Sequence, residues 1–197
     1  MSSLPSSSHA LLASLRAAFS GRMVSDPTGM APWLRDYRQR WGGPALAVVQ
    51  PDSTADVAAV VRWCVEHDAV IVPQGGNTGL TGASVPLADP RPAPRPEARP
   101  ASTDKAPSDA LDPSQARTTG GADARPRPVI LLSLSRMQQI RSVDALASTM
   151  VVEAGCTLQA AQEAAAAHGR LFPLSLASEG SCTIGGNLAT NAGGVQV

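Results

Sequence analysis

Pro73-Gln74-Gly75-Gly76-Asn77-Thr78-Gly79-Leu80-Thr81-Gly82 sets four glycines in ten residues directly behind the β-branched run Val70-Ile71-Val72. The segment reads as a strand emptying into an anion-cradling loop. Without a Cβ, glycine lets backbone N–H groups turn toward a ligand and approach it closely, and successive amides so exposed form a concavity for phosphate oxygens. A diphosphate is the natural guest, and a Cβ at Gly76 is expected to block its approach. Two other phosphate loops fail by spacing: no Gly-Lys-Ser/Thr ending is present, and the glycines do not fall as G-x-G-x-x-G opening a helix. No helix start follows Gly82, so the amides are expected to hold the anion locally. A glycine-rich tight turn between strands is the alternative at this point, because Gly and Asn are ordinary turn residues.

Upstream, Ala45 to Val49 reads as a strand ending at Pro51. Ser53 or Asp52 caps a helix with apolar positions Val57, Val60, Val61, Cys64 and Val65. Strand, helix and strand within about 30 residues make a βαβ-type unit, and ligand sites favour the carboxyl ends of its strands. Met1 to Ser20 suits a frayed helical lead-in. It is a poor secretory signal and too short to span a bilayer. Downstream, residues 88–128 hold nine prolines, seven basic and six acidic side chains and almost no large apolar residue. They are expected to be a disordered insertion whose removal leaves ligand binding intact. Order is expected to resume with a buried strand, Val129 to Leu134, then a strand from Thr149 to Glu153 and a helix from Thr157 to His168. His67 and His168 read as helix-end residues, His168 with Gly169 as a stop signal.

Composition excludes several functions. The 197 residues carry 16 basic and 16 acidic side chains and only 3% aromatics, which argues against nucleic acid and base stacking. Cys64, Cys156 and Cys182 are widely spaced and match no zinc or disulfide pattern. They suit reduced, mostly buried thiols of a cytoplasmic protein, and no metal site is expected.

A second glycine cluster, Gly180-Ser181-Cys182-Thr183-Ile184-Gly185-Gly186-Asn187-Leu188-Ala189-Thr190-Asn191-Ala192-Gly193-Gly194, has no charged residue. Ser181, Thr183, Asn187, Thr190 and Asn191 offer short hydrogen-bonding groups, and the paired glycines allow backbone to lie near a flat ligand. A loop-rich surface segment is the bland alternative.

Together these motifs resemble the N-terminal part of FAD-linked oxidoreductases of the vanillyl-alcohol oxidase and p-cresol methylhydroxylase type. The chain is most similar to the D-lactate, glycolate and D-2-hydroxyglutarate dehydrogenase group. The likeness rests on Pro73 to Gly79, Val152-Glu153-Ala154-Gly155-Cys156, Gly169-Arg170-Leu171-Phe172-Pro173 and the whole second cluster. Met30 to Trp41 (MAPWLRDYRQRW) resembles that group's N-terminal segment.

The resemblance implies an α+β flavin domain of two α/β subdomains, the second incomplete. Residues 1–44 form a lead-in, 45–87 the first subdomain, 88–128 the insertion, and 129–197 the rest of the first and the start of the second. It implies FAD-binding roles for Pro73, Gly75, Gly76, Asn77, Thr78, Gly79 and Leu80 on the diphosphate. Gly180, Ser181, Thr183, Ile184, Gly185, Gly186, Asn187, Asn191, Ala192 and Gly193 would line the diphosphate, ribityl and isoalloxazine side. No histidine lies between His67 and His168, so FAD is expected to be noncovalent. The implied reaction oxidises a D-2-hydroxy acid to the 2-oxo acid. The family continues beyond the equivalent of Val197 into a substrate-binding domain, so the catalytic base is expected outside these residues and Glu153 and Glu179 are carboxylates without an assigned role. A truncated flavin-binding module without turnover is the competing expectation.

Overall fold

The computed structural model describes residues 6–87 and 127–194. Nearly all of the proline-rich stretch therefore lies outside the described residues, as do Val195 to Val197. Helices and strands are mixed. The elements are α1 (Ser6–Ala18), β1 (Arg22–Val24), α2 (Pro27–Met30), a 3-10 turn (Ala31–Trp33), β2 (Ala47–Gln50), α3 (Thr54–Glu66) and β3 (Val70–Gln74). After the proline-rich stretch come β4 (Val129–Ser133), β5 (Ile140–Asp144), β6 (Thr149–Val152), α4 (Leu158–Ala167) and α5 (Ile184–Ala189). No helix among the described residues is long and apolar enough to cross a membrane.

The first sheet runs β1-β2-β4-β3, with β4 parallel to both neighbours and β1 antiparallel to β2. The βαβ expectation is corrected in one respect: β2 and β3 do not touch, because β4 lies between them. Sequence explains the order. Every residue of β4 is buried, as a continuous apolar run requires of a parallel strand covered on both faces. β3 carries Pro73, which has no N–H to donate and so suits the edge. Arg127 and Pro128 already belong to this unit: Arg127 pairs with Asp68 at 2.9 Å, and the Pro128 carbonyl accepts from Val70 N at 2.8 Å.

On one face, Ala47, Val49, Ile130 and Leu132 pack against Leu15, Phe19, Val60, Trp63 and Cys64. On the other, Val48 and Leu131 pack against Met30, flanked by Val24, Trp33 and Leu34. The N-terminal helix is thus no frayed lead-in. Leu15 is fully buried and Trp63 Nε1 donates to Ser14 Oγ at 3.0 Å. α3 starts at Ser53, whose hydroxyl accepts from Asp56 N at 3.1 Å. Its buried stripe is Asp56, Val60, Trp63 and Cys64, while Val65 is 76% exposed. A tryptophan buries far more area than a valine, so Trp63 turns the helix toward the core in place of Val61 and Val65.

The β5–β6 hairpin forms a separate two-stranded sheet. Its turn is set by Asp144, whose Oδ1 accepts from Leu146 N and Ala147 N, each at 2.9 Å. α4 is capped by Thr157 and ends at His168, followed by Gly169 at φ 65°, the left-handed step that suits glycine at a helix stop.

Candidate functional site

The loop after β3 leaves the carboxyl end of the parallel sheet, where the second glycine cluster comes to meet it. That cluster is held by α4. Thr183 bridges Thr157, Leu158 N donates to Cys182 O at 3.1 Å, Ile184 N to Cys156 O at 2.8 Å, and Gly185 N to Ala154 O at 2.9 Å. Residues 182–185 are thereby laced along residues 154–158, and α5 follows with Thr183 as its cap.

The two clusters, about 100 residues apart in sequence, touch where glycine is indispensable. A Cβ on Gly75 would overlap Thr183 Oγ1, and one on Gly76 would overlap the Ser181 carbonyl and stand 3.0 Å from Cys182 Cα. Gly76 thus has a steric role that spacing did not suggest: its missing side chain makes room for the second cluster's backbone. Gly79 differs, since a Cβ there meets nothing within 4 Å.

Between the clusters lies a cavity of about 240 Å³. Gly75, Gly76, Asn77, Thr78, Gly79 and Leu80 line it from the first cluster and Thr183, Gly186, Asn187, Thr190 and Ala192 from the second. Among the described residues, no protein oxygen accepts from the amide nitrogens of Gly75 through Leu80. A run of amides without protein acceptors, on residues that line a cavity, fits an anion carrying several oxygens. A helix start does reach the loop, contrary to expectation, but it arrives from the second cluster. Its first amides are already used, Ile184 and Gly185 by carbonyls and Gly186 by Thr183 Oγ1 at 3.3 Å. The free donors are those of the loop itself.

Several expected site residues lie outside the wall of this cavity. Pro73 is a ladder residue of β3 paired with Leu132. Gly180 faces Gln159, Ser181 lends its carbonyl to the contact with Gly76, and Gly185 packs on Ala154. Ile184, Asn191 and Gly193 line a second, largely apolar cavity with Phe172, Pro173 and Leu174, and Asn187 and Ala192 border both. Asn77 sits at φ 53°. Its side chain is committed to protein: Nδ2 donates to Arg35 O at 2.8 Å, and Oδ1 accepts from Ser84 Oγ at 2.8 Å.

Thr81, Ala83, Ser84, Leu176 and Ser178 also line the cavity, and no site role is expected of them from sequence. Only their nearness to the glycines marks them.

Glu153 is 9% exposed and far from free. It accepts from Gln139 N at 2.9 Å and pairs with Arg141 at 3.1 Å, and the Gln139 amide first, then Arg141, holds its carboxyl below the usual range. It fastens the β5–β6 hairpin. Glu179 accepts from Gln162 Nε2 at 3.4 Å. Cys64, Cys156 and Cys182 are free and buried, and burial pushes the Cys64 thiol up to about 11. Among the described residues no cluster could hold a metal ion.

Residues 45–89 and 114–197 match the FAD binding domain family. The chain belongs to that family. FAD is accordingly the cofactor of this domain, and the unpaired amides of residues 75–80 fit its diphosphate. The chain is 32% identical over 190 residues to the mitochondrial D-2-hydroxyglutarate dehydrogenase of Bos taurus, a match over 94% of the chain and 27% of that relative. In structure it resembles alkyldihydroxyacetonephosphate synthase (TM-score 0.68, 17% identity, 94% of the chain and 30% of that protein). It also resembles p-cresol methylhydroxylase (TM-score 0.59, 16% identity, 94% of the chain and 30% of that protein). Likeness at these identities is one of fold. The chain spans 27% of the length of its bovine relative.

Proposed function

We propose that this chain is the FAD-binding portion of a flavin-dependent oxidoreductase that converts a D-2-hydroxy acid of the D-2-hydroxyglutarate, D-lactate or glycolate class to the 2-oxo acid. One observation carries the reading: two glycine clusters about 100 residues apart close on one cavity whose unpaired amides suit a diphosphate. The kinship to a D-2-hydroxyglutarate dehydrogenase supports the substrate class. The flavin, when bound, supplies the hydride-accepting chemistry. The chain's own contribution is binding and orientation. Amides of Gly75 to Leu80 hold the diphosphate, Thr78, Thr183, Asn187 and Thr190 present polar groups across the cavity, and Leu80 and Leu176 shed water from it.

The cofactor is proposed to be noncovalent. Among the described residues, the cavity wall contains no histidine, cysteine or tyrosine to form a link. In the proposed division, residues 45–87 make the first subdomain with β4, residues 88–128 an insertion whose last two residues already join the sheet, and the β5–β6 hairpin, α4 and α5 open a second, incomplete subdomain. A reducing, cytoplasmic setting belongs to the same proposal and is supported by three free buried thiols.

A second reading has its own observation. Among the described residues no acid or base lines the cavity, so these residues alone act as a flavin-binding module and turnover needs groups from elsewhere. Titrating the chain with FAD and with riboflavin tests the binding reading common to both. FAD is expected to bind at one per chain and at least tenfold more tightly than riboflavin, because riboflavin lacks the diphosphate. Equal affinities would overturn the diphosphate assignment.

A further inference from the structure

The glycine loop is fastened from outside the cavity by one N-terminal segment, Trp33 to Gly42. Gln74, 3% exposed, donates through Nε2 to Trp33 O and to Ser84 O, both at 2.9 Å, and so ties the start of the loop to its end and to this segment. Asn77 ties the middle, donating to Arg35 O at 2.8 Å and accepting from Ser84 Oγ. The Trp41 ring lies against Gly82, where φ is 75° and a Cβ would stand 2.5 Å from Trp41 Cγ. The segment is itself a small hairpin, bridged at Arg35 and Gly42.

Asp36 organises that hairpin. It is fully buried, its Oδ1 accepts from Trp41 N at 2.7 Å, its Oδ2 accepts from Arg38 N at 3.2 Å, and its own N–H donates to Trp41 O at 3.1 Å. Trp33, Arg35, Asp36 and Trp41 are absent from the cavity wall, so any effect they have on a ligand passes through the loop.

We propose that the Trp33–Gly42 hairpin is a clamp that positions the FAD-binding loop, with Asp36, Gln74 and Asn77 as positioning residues. A loop with glycines at 75, 76, 79 and 82 loses much backbone freedom when its amides converge on a ligand. Fastening its two ends and its midpoint beforehand removes part of that cost from the binding step. The clamp rests on the FAD reading above.

The test uses the whole 197-residue chain and two measurements, the FAD dissociation constant and the thermal midpoint of the FAD-free protein. Asp36→Asn is expected to weaken FAD binding about tenfold while the protein remains folded, as loss of one or two well-placed hydrogen bonds warrants. Asp56→Asn is the control. It removes a carboxylate that accepts from Ser20 N and Ser53 Oγ on the far face of the sheet, and should lower the midpoint while leaving the dissociation constant within about twofold. Asn77→Gly keeps the left-handed backbone but loses both side-chain bonds, and is also expected to weaken FAD about tenfold. The clamp is refuted if Asp36→Asn lowers only the thermal midpoint, or, should that variant not fold, if Asn77→Gly binds FAD as the parent does. A parent chain that takes no FAD would sink the reading of the site, and the clamp with it.

Discussion

Gly76 and Gly79 stand three residues apart in one loop and lack side chains for different reasons. At Gly76 the space a Cβ would need is filled by the Ser181 carbonyl, whereas at Gly79 it is open. Gly76→Val is therefore expected to destabilise the protein by about 2 kcal/mol or more through the overlap of two backbones. Gly79→Ala should leave stability within about 0.5 kcal/mol yet weaken FAD, because only a ligand approaches that face. Urea denaturation and flavin titration of the two variants separate these outcomes. A Gly79→Ala protein that binds FAD normally would move the diphosphate away from this residue. The glycines themselves were plain in the sequence. What each excludes was not, since Gly76 touches a segment about 105 residues further along the chain, and spacing within one motif carries no information about that partner. Asn77 teaches the same lesson: the sequence shows a loop residue beside the glycines, whereas its side-chain partners, Arg35 O and Ser84 Oγ, lie outside that motif.

Elements were legible in proportion to how local their causes are. The capped start of α3 at Ser53, the buried run of β4 and the stop at His168-Gly169 all follow from residues within a few positions of one another. The buried stripe of α3 did not, because Trp63 is drawn inward by Ser14 and stacks on His67 with ring centroids 4.2 Å apart. Trp63→Ala is expected to cost about 3–5 kcal/mol, read as a lowered denaturation midpoint, whereas the valine stripe first expected would make Val65 the costlier site.

Met30 to Trp41 was legible as a family-like segment, but its hairpin was not, because the organiser is a buried carboxylate in a polar sequence. The Trp41 N–H, as the strongest influence, holds Asp36 below the ordinary carboxylate range. A carboxyl lowered on folding contributes stability that is complete above its unfolded value of about 3.9 and is lost as pH falls through the lower folded value. Denaturation midpoints measured from pH 6 downward should therefore fall less steeply in Asp36→Asn than in the parent. Identical slopes would show that Asp36 is not held in this way.

At the scale of the whole molecule, the order of strands decides where the site forms. β4 inserts between β2 and β3, so the strand that returns after the proline-rich stretch seals the sheet beside the glycine loop. The following hairpin and α4 then carry the second cluster to the same edge. Neither glycine motif makes a cavity alone. Family membership was legible because both motifs stand in one order on one chain, and the match over residues 45–89 and 114–197 agrees. The strand order was not legible, since a parallel pairing across more than 50 intervening residues leaves no local trace.

The central claim is that the amides of Gly75 to Leu80 hold the FAD diphosphate. Backbone amide NMR of the isotopically labelled chain, recorded with FAD and then with riboflavin, tests it most directly. FAD should shift the amide protons of residues 75–80 downfield as they gain phosphate acceptors, and riboflavin should leave them near their free positions. Shifts confined to the Phe172–Gly193 cavity, with residues 75–80 unmoved by FAD, would contradict it.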